Sequence, residues 1–314
     1  MHHLTHLKMT PDKPVLGILL MLGFCVLAPL GDALAKLLGT TIPLGQLVLI
    51  RFAVQAVLLI PLVAFAGIPW RLSPRAWRLA VIRTVLHILG IGSMFTSLMF
   101  LPLADAIAIA FVMPFFMLLL GHFVLNEEVG PHRMAACGIG FVGTLLVIQP
   151  NFLSVGWVAL LPVSVAIIFA LFMLTTRQIA READPIALQA VSGVIALVIL
   201  APALVLGHML ALKPLTLIQP TVWEWQMLAG IGILGTAAHL LMTWSLRFAP
   251  SATLAPMQYL EIPVATAVGF WLFSDLPDNL AAVGITLTVT AGIYVVLREQ
   301  ASARRLAQNA PPAQ

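Results

Sequence analysis

Charge is what this chain has least of: Asp, Glu, Lys and Arg together make up 9% of its 314 residues, against about 25% in an ordinary soluble domain. So little charge cannot cover the surface of a water-soluble globule of this size. Cysteine is nearly absent too. Cys25 and Cys137 are the only two, and both lie inside apolar runs, which excludes a disulfide framework or a multi-thiolate metal site within the chain. A formal net charge of +4 excludes charge-driven disorder and a basic groove for nucleic acid. What is abundant is apolar: 61% of residues are hydrophobic and the mean hydropathy is +1.05. The solvent for such a chain is a lipid bilayer.

A spanning helix needs about 20 mostly apolar residues. Cutting the chain where Pro, Gly or charge interrupts such runs predicts ten: Val15 to Leu37, Leu44 to Phe65, Trp77 to Met99, Ala104 to Leu125, Arg133 to Ile148, Gly156 to Thr176, Pro185 to Leu206, Trp223 to Leu246, Ser251 to Phe273 and Asn279 to Leu297. Lys8 and Lys13 before an apolar run ending in Ala33-Leu34-Ala35 imitate a secretory signal. The run is longer than the usual apolar core of such a signal and Asp32 and Lys36 flank the imitated cut, so the first helix is expected to stay attached. Residues after Ala301 read as a polar, unstructured tail.

Lys and Arg set the orientation, because translocating positive charge is disfavoured. Lys8, Lys13, Arg71, Arg75, Arg78, Arg133, Arg177, Arg181, Arg247, Arg298, Arg304 and Arg305, 12 of the 16 basic residues, fall on one side, and the opposite connections hold only Lys213. That predicts a bacterial inner-membrane protein with both termini cytoplasmic. Trp70, Trp77 and Trp244 then lie near the inner interface, and Trp157, Trp223, Trp225 and Trp271 near the outer one, where amphipathic indoles belong.

Sliding the chain on itself by 149 places sets Pro114 on Pro263 and Gly143 on Gly292, a weak internal repeat. Each half holds an odd number of spans, so the second must enter from the opposite side and carry the opposite basic bias. It does: Arg71 and Arg75 follow the second helix and a lone Lys213 the seventh, while Arg133 follows the fourth and Asp275 and Asp278 the ninth. The expectation is an all-α membrane protein of ten transmembrane helices in two inverted five-helix repeats. Its parts are an N-terminal cytoplasmic segment (1–13), a first repeat (14–150), a second repeat (151–299) and a cytoplasmic tail (300–314).

The stretch Pro114 to Pro150, with its Asn126-Glu127 turn and Gly138, Gly140 and Gly143, and the later Leu260-Glu261-Ile262-Pro263 with Gly284 and Gly292 resemble the two EamA-type repeats of the drug/metabolite transporter superfamily. The resemblance spans roughly Val15 to Leu297 and its motifs are diffuse, more specific for fold than for cargo. It implies a central cavity, alternating access, and peripheral fifth and tenth helices. Two departures stand out: the family's usual Gly-Glu after the fourth helix reads Asn126-Glu127, and after the ninth Ser274-Asp275, both taken as turn variants. Members of the superfamily move amino acids, riboflavin, S-adenosylmethionine, nucleotide sugars and drugs. Gly31-Asp32-Ala33 and Pro43 leading to Arg51-Phe52 look most like proteobacterial members associated with amino-acid export or with vitamin and S-adenosylmethionine uptake.

Glu261, mid-way along the ninth segment, is the sharpest single signal, because an ionised carboxylate there costs about 2.5–3.5 kcal/mol on insertion scales. It should face a cavity, as a proton site or a partner for a substrate ammonium, or else cap backbone donors near a kink. Pro114 and Pro263 each remove a backbone donor and free the carbonyl four residues earlier, at Ala110 and Tyr259, as hinges or as simple bends. Asp32 and Lys36 are four apart on one face, with Arg51 at similar depth. They read as a gate or as a static ion pair, and Arg51 would suit a substrate carboxylate. Arg83 and His87 share a face of the third helix. His87 and the mid-membrane His239 are either proton-coupling groups or satisfied interhelical donors. Gln258 and Tyr259 offer polar readout beside Glu261, with Met94, Met113, Met242 and Phe115 as a soft wall. With 13 Met and only 2 Tyr, a pliable cavity is expected.

The strings Gly138-Ile139-Gly140-Phe141-Val142-Gly143 and Gly230-Ile231-Gly232-Ile233-Leu234-Gly235 spell the dinucleotide fingerprint, but both lie in spanning helices, where glycines let backbones approach. An intramembrane enzyme lacks its usual motifs here, since neither HExxH nor GxSxG occurs; His122, Glu127 and Glu128 are the nearest thing to a ligand set and read as solvated connection charges. A scaffold would have no need of so many ionisable groups at membrane depth. The sequence thus predicts a secondary transporter rather than an enzyme. No cofactor, metal or nucleic acid is required, and its partners are a small amphipathic metabolite and the lipid bilayer, with protons as coupling ion. A monomer or weak homodimer is expected. Export of amino acids and related compounds is the first reading, and uptake of a vitamin or S-adenosylmethionine the second.

Overall fold

The computed structural model describes residues 13–70, 72–125, 130–180 and 182–308. Among them the chain is helical throughout and contains no strand. The helices are α1 (Pro14–Leu38), α2 (Leu44–Phe65), α3 (Pro74–Leu98), α4 (Leu103–Ala110), α5 (Met113–Leu125), α6 (Pro131–Val155), α7 (Leu161–Ile179), α8 (Pro185–Met209), α9 (Val222–Phe248), α10 (Ser251–Leu254), α11 (Glu261–Phe273) and α12 (Asn279–Gln308), with short 3-10 stretches at Gly156–Leu160, Lys213–Leu215 and Ala255–Leu260. The expected Asn126-Glu127 turn, Glu128, Lys8, Arg71 and Arg181 lie outside the described residues.

Local chemistry explains the starts. Pro14, Pro74, Pro131 and Pro185 open their helices, where a missing N–H costs nothing and the fixed φ is already helical. Ser73 accepts from the Ala76 N–H, Asp184 from those of Ile186 and Ala187, and Thr221 forms a reciprocal box with Glu224 ahead of α9. At the other end of α11, Ser274 takes a left-handed φ of 56°, so the serine in the departing Ser274-Asp275 pair does adopt a turn conformation.

Seven stretches among the described residues are long and apolar enough to cross a membrane, judged by length and composition. The difference from ten lies in three places. The fifth and sixth expected segments run together in Met134–Ile179 (46 residues), the ninth is divided among α10, a 3-10 stretch and α11, and the apolar part of α12 is the shorter Asn279–Tyr294. The expected unstructured tail is partly helix instead, since α12 continues to Gln308; Glu, Gln, Ala and Arg there are strong helix formers. Side chains such as Phe65 (92% exposed) and Trp271 (80%) point outward, as a lipid-facing surface requires.

Four pairs make the most extensive contacts: α1 with α9, α3 with α7, α2 with α8, and α6 with α12. Small residues permit the last. A Cβ added to Gly143 would lie 2.5 Å from the Gly284 carbonyl oxygen, and Thr288 Oγ1 spans the same crossing, donating to the Gly284 carbonyl at 2.8 Å and lying 3.4 Å from that of Gly140. Gly140 and Gly143 of the first string are therefore packing positions, whereas Gly138 meets nothing within 4 Å.

The expected mid-helix prolines are not mid-helix. α4 ends at Ala110 and α5 starts at Met113, so Pro114 is the second residue of a new helix; the Ala255–Leu260 stretch ends where α11 begins, so Pro263 is its third. For Pro114 the lost N–H falls in a first turn and has no partner to lose, whereas before Pro263 the 3-10 stretch runs straight into α11 and only the winding changes. The winding changes just before each proline, and the two new helices start 148 residues apart.

Candidate functional site

The breaks open onto a central cavity. α1, α2, α3, α4, α5, α7, α9 and α11 all contribute to its wall, whereas α6, α8 and α12 do not. Its water-accessible volume is about 90 Å³, well below the roughly 300–1,000 Å³ typical of a small-molecule pocket. The space described is narrow for a small-molecule pocket.

Four polar side chains reach this wall: Asp32 from α1, Arg51 from α2, His239 from α9 and Glu261 from α11. The rest is apolar, including Phe24, Phe95, Phe111 and Phe169, with Met94 and Met113. Glu261, 7% exposed, is the first residue of α11, at the junction where the 3-10 stretch runs into it, and its own N–H is bonded to the Gln258 carbonyl. The break, rather than a kink, is what delivers this group to the cavity.

Arg51 is 4% exposed. Its Nη2 lies 3.1 Å from His239 Nδ1, its guanidinium stands 5.1 Å over the Phe52 ring, and its Nη1 has no protein partner. His239 Nδ1 also lies 2.9 Å from the Gly235 carbonyl, and its Nε2 is unpartnered. One nitrogen cannot accept from a guanidinium and donate to a carbonyl at once. As the Nε2–H tautomer the ring accepts at Nδ1 from Arg51; as the Nδ1–H tautomer it donates to Gly235 and releases Arg51. Gly235 creates the room, since a Cβ there would sit 2.7 Å from Arg51 Nε. The second glycine string thus admits a guanidinium.

The expected Asp32–Lys36–Arg51 triad does not form. Lys36 Nζ turns away to the end of the bundle, donating to the Leu101 carbonyl at 2.9 Å and pairing with Asp275 Oδ2 at 3.1 Å, 4.9 Å over the Phe273 ring. A long cation near a helix end reaches for polar partners at the rim, leaving Asp32 and Arg51 in the cavity without a mutual ion pair.

Arg83 and His87 lie behind the wall, both fully buried. Arg83 donates to Thr176 Oγ1 (2.8 Å), Ser192 Oγ (2.7 Å) and Thr243 Oγ1 (3.5 Å), and stacks 4.7 Å over Phe172. His87 packs its ring on His239 with centroids 4.2 Å apart and on Phe172 at 4.6 Å, and neither ring nitrogen has a protein partner. Gln258 and Tyr259 are also withdrawn from the wall. Gln258 Nε2 points at the sulfurs of Met21 (3.7 Å) and Met173 (3.1 Å). The Tyr259 phenol fits against Gly140, where a Cβ would meet its oxygen at 2.5 Å. Both sit in the 3-10 stretch, whose tighter winding turns them off the face that α-helical spacing gives. Met242 and Phe115 likewise are not in the wall. The four phenylalanines escaped sequence reasoning, since nothing distinguishes them among 16 in the chain.

Comparison with known proteins fits a membrane cavity of this kind. The EamA-like transporter family matches residues 15–149 and again 156–298. The chain belongs to that family. It is 24% identical over 269 residues to an S-adenosylmethionine uptake transporter of Rickettsia bellii, covering 86% of this chain and 89% of that protein. It is 26% identical to a riboflavin transporter of Rhizobium johnstonii, covering 96% and 97%, and 23% identical to the pseudopaline exporter CntI of Pseudomonas aeruginosa, covering 83% and 89%. A solved crystal structure superposes with a TM-score of 0.66 at 20% identity, covering 93% of this chain and 98% of that one, a likeness of fold. This EamA-family chain is accordingly a transporter rather than an enzyme, and its substrate is a small molecule.

Proposed function

We propose that the chain is a ten-helix secondary transporter of the bacterial inner membrane, both termini cytoplasmic, in which residues 14–150 and 151–299 form two oppositely threaded halves that rock about the central cavity. The seven stretches above become eight spans once Met134–Ile179 counts as two, and α10–α11 and α12 bring the number to ten. Helix pairing supports the two-fold relation. Exchanging first to fifth spans with sixth to tenth turns the α1–α9 pair into the α7–α3 pair and returns α2–α8 and α6–α12 onto themselves. The paired family matches and the paired breaks point the same way.

One observation carries the functional reading: an interior space enclosed by both halves and holding two carboxylates, a guanidinium and an imidazole. Such groups at membrane depth are costly and belong to substrate or ion paths. Amino-acid export remains a reading of the residues alone; the names of the relatives favour the other, a cargo related to S-adenosylmethionine or riboflavin. The titratable groups gathered at the wall, Asp32, Glu261 and His239, support protons as the coupling ion. Counterflow of labelled S-adenosylmethionine and riboflavin in proteoliposomes tests this: saturable exchange of either is expected, and Glu261→Gln should reduce it without unfolding the protein. Leak-level flux of both in a folded preparation rules the reading out.

A further inference from the structure

The central cavity lies close to one end of the bundle. Asp32 and Phe95 stand within about two turns of the ends of α1 and α3, and Arg51 and Ile107 within about two turns of the starts of α2 and α4. These helix ends lie together, because Lys36 near the end of α1 donates to the carbonyl of Leu101, in the connection from α3 to α4. On the opposite side the wall is backed by the fully buried Arg83, His87 and Phe172. The barrier between cavity and surface is therefore thinnest under Lys36, about one helical turn beyond Asp32.

Three elements meet at Lys36. Besides the Leu101 carbonyl at 2.9 Å, its Nζ holds Asp275 Oδ2 at 3.1 Å and stands 4.9 Å over the Phe273 ring. Lys36 and Leu101 belong to the first family match, Phe273 and Asp275 to the second. Asp275 is fixed by the way α11 stops: Ser274 takes the left-handed turn, and the Asp275 N–H returns to the Gly269 carbonyl at 3.3 Å. The side chains of the pair are 18% and 33% exposed. A second ion pair between the halves, Arg75–Glu182 at the other end of α3, is 57% and 36% exposed, and a lone exposed pair of that kind contributes little. Shielding, a second acceptor and an aromatic face strengthen the Lys36 contact.

We infer that Lys36 and Asp275 are the latch of the near mouth of the cavity, clasping the two halves while that mouth is shut and separating when it opens. This rests on the transporter reading above and assigns one of its two gates to named residues. The position suits a contact that must break repeatedly. Both groups sit at the rim, where water takes over when they part and the lysine stem lets the ammonium follow it, whereas partners of a fully buried pair would be left uncompensated.

A thiol on the wall reads the mouth. Ala28 and Ala110 line the cavity, so Ala28→Cys and Ala110→Cys give two independent reporters, with the buried Cys25 and Cys137 as background. The probe is a polar maleimide applied to the purified full-length chain in nanodiscs, where it reaches both faces, each variant being verified as folded by its thermal midpoint. Lys36→Met keeps the length of the stem without its charge and should speed modification at least about fivefold. Asp275→Asn should do the same, and the two together should add little to either alone. Lys36→Arg, which keeps the charge, and Arg75→Ala, which removes the exposed pair, should each stay within about twofold of the parent. Modification no faster in Lys36→Met, or equally accelerated in Lys36→Arg or Arg75→Ala, overturns the inference. The two readings fail separately: a mouth that answers to the Lys36 charge without flux in proteoliposomes removes the transporter reading alone, and flux with a mouth indifferent to that charge removes the latch alone.

Discussion

Two buried arginines stand on either side of the His87–His239 stack and have opposite surroundings. Arg83 is fully buried with each terminal nitrogen and Nε on a hydroxyl from α7, α8 or α9 and its plane on Phe172. Arg51 is nearly as deep, yet keeps one terminal nitrogen unpartnered at the wall of the central cavity and spends the other on a histidine whose own proton decides the bond. A polar group that the fold satisfies completely serves the fold. One left incomplete inside a bilayer has a cost that only a ligand or a proton offsets. Arg83 is thus read as a strut joining helices of both halves, and Arg51 as a binding group.

The largest expected effect follows from that contrast. Arg83→Ala deletes a long side chain at a packed crossing of four helices together with three interhelical hydrogen bonds, and should lower stability by about 2–4 kcal/mol. Arg51→Ala removes a side chain that already borders open space and should cost less than about 1 kcal/mol while lowering binding at least about tenfold. Thermal unfolding in detergent and ligand titration read the two axes. Equal loss of stability in both variants would erase the distinction.

Glycines in a single string sharpen it further. A Cβ on Gly235 would sit 2.7 Å from Arg51 Nε, whereas on Gly232 it would meet the Val54 side chain. Gly235→Ala should displace the guanidinium and weaken binding about threefold to tenfold with a small stability change. Gly232→Ala should do the reverse, costing about 1–3 kcal/mol from overpacking and leaving the affinity of the folded fraction unchanged. If the two alanines behave alike, Arg51 is not held by the space at Gly235.

Why these two arginines could not be told apart in the sequence is a matter of what periodicity encodes. Run length predicts helices able to cross a bilayer, and the recurrence of Pro114 at Pro263 predicts a chain built twice. A stronger echo was there to be used: Ser97-Leu98 with Phe100 and Pro102 returns as Ser245-Leu246 with Phe248 and Pro250. Asp32, Arg51, His239 and Glu261 were legible as candidates, alongside Arg83 and His87, because ionisable residues at membrane depth are rare. Which of several such residues shares a cavity depends on helix rotation and on local winding, and neither is written in hydropathy. Gln258 and Tyr259 were misplaced for that reason, since the 3-10 stretch Ala255–Leu260 rotates them away while delivering Glu261. Lys36 was misplaced because a four-residue spacing fixes a face and leaves open whether a long side chain reaches along it to Asp275.

The stacked histidines give the smallest and most selective test. His239 is at the wall and touches Arg51, while His87 lies one layer deeper, its ring between His239 and Phe172 and its edge toward Phe52. His87→Phe keeps an aromatic of similar size in an aromatic setting and removes two ring nitrogens that have no protein partner, so stability should hold or rise by up to about 1 kcal/mol and affinity should stay within about twofold. His239→Phe keeps the stack but deprives Arg51 of its acceptor and the cavity of its one group with two mutually exclusive hydrogen bonds. It should flatten the dependence of transport on pH while changing affinity at a fixed neutral pH about threefold. A pH profile unchanged by His239→Phe but flattened by His87→Phe would move the proton to the deeper ring and make the layer behind the wall, Arg83 included, part of the mechanism.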